Sequence, residues 1–274
     1  MPYTAEISRA NPTCFLFLID QSESMRERIG GGDLPMAKAD AVADAVNRLL
    51  SELTIKCAKE EGVRDYFHVG VIGYGAKVGP AFGGALAGQA LVPLSEVAAQ
   101  PARLEERQRP SGAGTQTVKF PTWFSPVAYG DTPMRAALTL AHDVLGKWLA
   151  EHPGSFPPIV LNITDGESTD GDPSAPAAAV RELMSADGNA LLFNLHVSSD
   201  LSDPVVFPNG DRHLPDAYAR LLFGMSSVLP GAMRSAASEQ GLALAEDGRG
   251  FVFNADISAI VQFLHVGTQV LGLR

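Results

Sequence analysis

Apolar positions follow two rhythms along this chain. Short, nearly unbroken apolar runs stand at 14–20 (CFLFLID), 66–75 (YFHVGVIGYG), 159–166 (IVLNITDG), 190–197 (ALLFNLHV) and 250–254 (GFVFN). Runs of that length predict strands covered on both faces, as in a parallel sheet. Between them apolar residues recur at steps of three and four. Met36, Ala39, Val42, Val46, Leu49, Leu53 and Cys57 form one such series, and Met134, Leu138, Ala141, Leu145, Trp148 and Leu149 another. Those steps predict amphipathic helices. Further helices are predicted around Ala177, Val180, Leu183 and Met184, and over 216–224, 231–240 and 257–270. LVPL (91–94) reads as a weak strand after a glycine-rich stretch able to make a hairpin. Strands alternating with helices predict an α/β fold: a doubly wound, mostly parallel sheet with helices on both faces. Its core should hold Leu16, Leu18, Val71, Ile72, Val160, Ile163, Leu192 and Phe193, with Val46, Leu49, Leu138 and Leu145 packed on it.

The rhythm lapses twice. Residues 95–130 hold charge-dense LEERQR, then SGAGTQT, then KFPTWFSPVAYG, and residues 199–229 are loop-rich apart from 216–224. Both read as irregular insertions into a single domain spanning 12–270. Long loops inside a domain are more often functional than filler. A shorter glycine-rich loop, IGGGDLP, precedes the first helix.

Composition narrows the function. The chain has 274 residues and 46% hydrophobic content, enough for one large domain. Its formal net charge of −10 argues against nonspecific nucleic-acid binding, which depends on neutralising phosphates. No Lys/Arg-rich run suggests a basic membrane patch, and no stretch of about 18 apolar residues suggests a membrane span. The first ten residues, MPYTAEISRA, lack the charged and apolar regions of a signal peptide, so the expected location is cytoplasmic. Cys14 and Cys57 are too few and too far apart for a zinc site or a disulfide framework, and read as buried thiols.

Open parallel sheets bind ligands beyond the carboxyl ends of their strands, where strand order reverses. Three stretches fall at such ends or at a helix start: Asp20-Gln21-Ser22-Glu23-Ser24, Gly130-Asp131-Thr132-Pro133 and Thr164-Asp165-Gly166-Glu167. They offer carboxylates and hydroxyls, with no histidine or thiolate. An all-oxygen set suits a hard cation such as Mg²⁺, with Mn²⁺ as a substitute. The alternate spacing of Asp20, Ser22 and Ser24 lets one tight turn aim all three side chains at a point. Thr132 before Pro133 reads as a helix N-cap, with a hydroxyl that caps the helix or reaches the ion. Other readings are weaker. Asp20, Ser22 and Ser24 also suit an ordinary turn. Asp165, Glu167, Asp170 and Asp172 miss the EF-hand spacing and read as a solvated loop. Gly70 to Lys77 misses the phosphate-loop pattern because Ala76 intervenes. His68 and His196 lie on strand patterns and read as satisfied sheet residues.

DQSES, GDTPM and ITDGE stand in chain order as Asp-x-Ser-x-Ser, then Thr, then Asp. This resembles the metal-ion-dependent adhesion site of the von Willebrand factor type A domain, over roughly residues 12–270. The resemblance implies a Rossmann-like fold with one antiparallel edge strand, which LVPL would supply. It implies a non-enzymatic, metal-dependent protein-binding module. Ser22 and Ser24 would bind the metal directly, Thr132 directly in the ligand-ready state, and Asp20 and Asp165 mainly through water. A partner protein would fill the open position with an Asp or Glu carboxylate, with Gln21 and Glu23 facing solvent or that partner. Similar stand-alone bacterial domains point to an ATPase, kinase or phosphatase encoded nearby as the partner. Two alternatives stay open. One is a Mg²⁺-dependent phosphohydrolase with Asp20 as nucleophile, although Ser22 stands where a second acid would be wanted. The other is a domain with a purely structural metal, whose partner docks on the insertions around Trp123 and Phe124. A dinucleotide site would need Gly-x-Gly-x-x-Gly after the first strand, and DQSESM is not that.

Overall fold

Each apolar run becomes a strand of one sheet in the computed structural model of the protein. It describes residues 3–29, 36–111, 114–200, 202–239, 241–242 and 244–268. Positions 30–35 of the glycine-rich loop, 112–113 of SGAGT, 201 in the second insertion, 240 at the end of a predicted helix and 269–270 of the last predicted helix lie outside the described residues.

The elements follow in order: β1 (Thr13–Asp20), α1 (Lys38–Lys56), β2 (Phe67–Tyr74), β3 (Val78–Pro80), β4 (Val92–Pro93), α2 (Leu94–Ala99), β5 (Arg103–Ser111), β6 (Gly114–Thr122), α3 (Met134–Glu151), β7 (Ile159–Thr164), α4 (Ser174–Glu182), β8 (Leu191–Val197), β9 (Val205–Val206), α5 (Ala217–Met225), α6 (Gly231–Glu239), β10 (Phe251–Ala255) and α7 (Ile257–Gly267). Two-residue hairpin strands also pair at 58–59 with 62–63 and at 184–185 with 188–189. The main sheet runs β9-β10-β8-β7-β1-β2-β3, with β4 also on β2. The pairs β1–β2, β1–β7, β7–β8 and β8–β10 are parallel. The antiparallel edge expected from LVPL is β4, which shares β2 with β3, and β9 closes the opposite edge antiparallel to β10.

Side chains alternate across the sheet, as strand geometry requires. Phe15, Phe17 and Ile19 of β1 join a core with α1, α6 and α7. Cys14, Leu16 and Leu18 join a second core with α3, α4 and α5. All twelve predicted core residues are buried, and both cysteines are free and buried. Near the amino end of β2, Trp148 Nε1 donates to His68 Nδ1 at 2.6 Å, and the His152 ring packs against both. Among the described residues no helix is long and apolar enough to cross a membrane.

Several expectations need correcting. Residues 95–130 are not irregular: they hold α2 and the hairpin β5–β6, registered from Arg103↔Thr122 to Ser111↔Gly114. The hairpin forms no part of the main sheet, so no buried face imposes an apolar alternation on it. Its Arg107 lies over the Phe120 ring at 3.7 Å and pairs with Asp44 and Glu105. Trp123 and Phe124 are only 1% and 2% exposed and cannot present a docking surface. Asn47 Oδ1 accepts from Trp123 N at 2.8 Å, and Val97 O accepts from Trp123 Nε1 at 2.5 Å. The helix around Ala177 stops at Glu182, and Met184 is exposed, because the chain must reverse through the 184–189 hairpin before β8.

Candidate metal-binding site

Strand order radiates from β1, toward β2 and β3 on one side and toward β7, β8 and β10 on the other. The carboxyl ends of β1 and β7 therefore flank the switch point of a doubly wound sheet. Asp20 ends β1, Thr164 ends β7, and Asp165 follows.

Asp20 folds its own loop. Its Oδ1 accepts from Ser22 N at 2.8 Å, turning the chain back over the strand end. Its Oδ2 accepts from Thr164 Oγ1 at 2.7 Å, which joins the two strand ends. Met25, fully buried, anchors the turn that follows. Ser22 Oγ and Ser24 Oγ lie 3.0 Å apart, and Ser24 Oγ donates to Asp165 Oδ1 at 2.7 Å. Burial pushes Asp20 up to about 6, against the hydrogen bonds from Ser22 and Thr164 and with a further push from Asp165. Two neighbouring buried carboxylates disfavour each other's charge, and a cation relieves both.

The second loop is tied to the first. Glu23 N donates to Gly130 O at 2.9 Å and Tyr129 N to Gln21 O at 2.6 Å. Gly130 has φ +98, and a Cβ there would stand 2.3 Å from Ala76 N, so only glycine fits. Thr132 is 5% exposed, and its Oγ1 lies 3.8 Å from where a Cβ on Gly166 would stand, so it faces the third loop. Its main chain is bonded there too: Thr132 N donates to Thr169 Oγ1 and Thr169 N to Thr132 O, both at 3.0 Å.

Thr132 is not the N-cap of α3. Pro133 holds that position without a side-chain bond, and the Asp170 carboxylate accepts from Arg135 N at 3.0 Å and Ala136 N at 2.8 Å. An acid reaching over from the neighbouring loop serves the helix start better than a hydroxyl does, because it also meets the helix dipole. Asp170 therefore has a bonded structural role that the solvated-loop reading lacked. Gln21 also differs from expectation: its amide packs against Gly73, where a Cβ would come within 2.2 Å of Oε1. Glu23 is exposed, as expected.

Lys38 was not foreseen. Its Nζ lies 3.0 Å from Asp165 Oδ2 and 2.8 Å from Glu27 Oε2, and the residue is 4% exposed. One sequence signal pointed to it: a lysine beginning a helix, where a cation opposes the dipole, needs an acid elsewhere. Thr164 stands in the third of the candidate stretches, but its bond to Asp20 across the two strand ends carries no sequence signal.

Asp20, Ser22, Ser24 and Asp165 are thus brought into one bonded chain, with Thr132 on the adjoining loop. Among the described residues no group of three or more His, Cys, Asp or Glu has metal-binding geometry. The donors gathered here are carboxylate and hydroxyl oxygens, which fit a small hard cation.

No family model and no curated protein matches the chain. It is similar in structure to a von Willebrand factor type A protein from Catenulispora acidiphila, at 13% identity over 94% of this chain and 42% of that one, TM-score 0.42. It is also similar to the ArnB paralog VWA2 from Sulfolobus acidocaldarius, at 14% identity over 68% of this chain and 35% of that one, TM-score 0.37. A third similar structure is proximal thread matrix protein 1 from the mussel byssus, with a zinc-occupied MIDAS motif: 12% identity over 69% of this chain and 37% of that one, TM-score 0.37. The chain spans less than half the length of each of these structures.

Proposed function

We propose that this chain, a von Willebrand factor type A fold by its strand order and three-part motif, is a non-enzymatic, metal-dependent protein-binding module. The observation that carries the reading is the convergence of Asp20, Ser22, Ser24 and Asp165 at the switch point, the bonded chain ending in two acids whose side chains are out of solvent. Those residues and Thr132 would hold Mg²⁺, or Mn²⁺ in its place. When bound, the ion supplies a positive centre able to accept a partner's Asp or Glu carboxylate. The protein itself carries a net charge of −10, so an acidic partner residue is repelled unless the site presents a cation. Ser22 and Ser24 can rotate their hydroxyl protons away from each other and from Asp165 to offer lone pairs. Thr132, free of capping duty, can do the same.

The phosphohydrolase alternative finds no support in this geometry. The Asp20 carboxylate is buried and each oxygen already accepts a hydrogen bond within the protein, which favours a positioning role over that of an exposed nucleophile. The test is titration calorimetry of chelator-stripped protein with MgCl₂ and MnCl₂. One site is expected in the wild type and none in Asp165→Ala. A site of undiminished affinity in both Asp165→Ala and Asp20→Ala overturns the assignment. A protein partner captured on the immobilised chain should be released by chelator and recovered on adding Mg²⁺.

A further inference from the structure

We infer that Lys38 is a resident cation of this site: its ammonium holds Asp165 when no ion is bound and weakens the ion's binding by standing beside it. The inference rests on the metal reading above. Asp165 uses both oxygens, Oδ1 for the Ser24 hydroxyl and Oδ2 for Lys38. Neither partner is incidental. The Lys38 side chain is 5% exposed and that of Asp165 is 0% exposed, so each needs the other to offset desolvation. The helix does not favour the lysine there, since Lys38 is the first residue of α1, at the positive end of the dipole. The two carboxylates that hold its ammonium account for its position: Asp165 inside and Glu27 at the rim.

Glu27 keeps the ammonium from belonging wholly to Asp165. It accepts from Lys38 Nζ at 2.8 Å and from Ser199 Oγ at 3.0 Å, which links the second insertion to the site. The result is a relay from insertion to rim acid, to ammonium, to site acid. A divalent ion sharing Asp165 meets a like charge one carboxylate away. Even with near-aqueous screening, such a neighbour weakens ion binding by about tenfold or more. The same positive charge favours a partner's carboxylate once the ion is in place. Lys38 thereby shifts affinity from the ion alone to the ion together with its acidic ligand.

The test uses the full chain and the metal alone. Wild type, Lys38→Met and Glu27→Gln are stripped with chelator and titrated with MgCl₂ and MnCl₂, and their melting is followed with and without ion. Methionine keeps the length and apolar stem of lysine without its charge. Lys38→Met should melt below wild type in chelator, bind the ion about tenfold tighter or more, and gain a larger melting shift from it. Glu27→Gln, altered at the exposed rim, should bind the ion severalfold more weakly, because the ammonium then leans on Asp165 alone. These opposite signs set a charge effect apart from distortion, which weakens both. Equal or weaker ion binding by Lys38→Met overturns the inference and leaves the metal site standing. Absence of binding in wild type and both variants overturns the metal site and this inference together. If Lys38→Met does not fold without metal, Glu27→Gln decides: unchanged affinity there overturns the proposal.

Discussion

A single nitrogen of His68 sets a charge far from the metal site. Nδ1 accepts the indole proton of Trp148 at 2.6 Å, so the ring is neutral with its own proton on Nε2. Burial, and then the neighbouring His152, hold the pKa of His68 below the ordinary histidine value. In the unfolded chain the ring takes up a proton as pH falls through about 6.5. The native ring resists that proton, so the unfolded state binds more protons in this window and stability falls as pH falls. Asp20 contributes the opposite slope. Its native pKa of about 6 lies above the unfolded value of 3.8, so its share of stability is present at low pH and declines as pH rises through that interval. Comparing wild type with His68→Phe cancels the Asp20 contribution. We expect the urea midpoint of the chelated protein to drop more between pH 7.5 and 5.5 in wild type than in the variant. Equal drops would mean that His68 titrates normally.

At the scale of elements, α3 shows how a loop and a helix share one acid. Asp170 caps α3 from the loop after β7, so Asp170→Ala should cost about 0.5–2 kcal/mol in a denaturant melt with chelator present. Thr132→Val, which keeps the methyl and removes the hydroxyl, should leave that melt nearly unchanged while weakening carboxylate-partner capture. A melt in which Thr132→Val loses as much as Asp170→Ala would return the cap to Thr132. Sequence-level reasoning could not place this cap, because capping rules look for the residue adjacent to the helix and Asp170 is 34 residues beyond Ala136. The same limit explains Lys38, whose partner Asp165 lies 127 residues away and meets it only through the sheet. β1, β2, β7 and β8 were legible because burial on both faces leaves an unbroken apolar run. The β5–β6 hairpin was not, since it lies outside the main sheet and Pro110 and Pro121 read as strand breakers. The short β9 is two residues long, too little for any period to register. The three motif parts were legible because strand ends and their following residues can be located from the strands alone.

For the molecule as a whole, the two cores meet at β1, whose alternating residues belong to one and then the other. That central strand carries Asp20 at one end and the free thiol of Cys14 near the other. Burial raises the pKa of both thiols, that of Cys57 to about 11, so neither is nucleophilic in the folded protein. Cys14 can therefore serve as an internal clock of global opening. In a Cys57→Ser variant, a disulfide reagent reaches sulfur only when β1 leaves the sheet, and under fast reclosing the labelling rate measures the population of that opened state. An ion that binds only the folded chain should slow the labelling by the factor 1 + [ion]/Kd. Labelling of equal speed in chelator and in saturating Mg²⁺ would mean that β1 can open without dismantling the site at its far end.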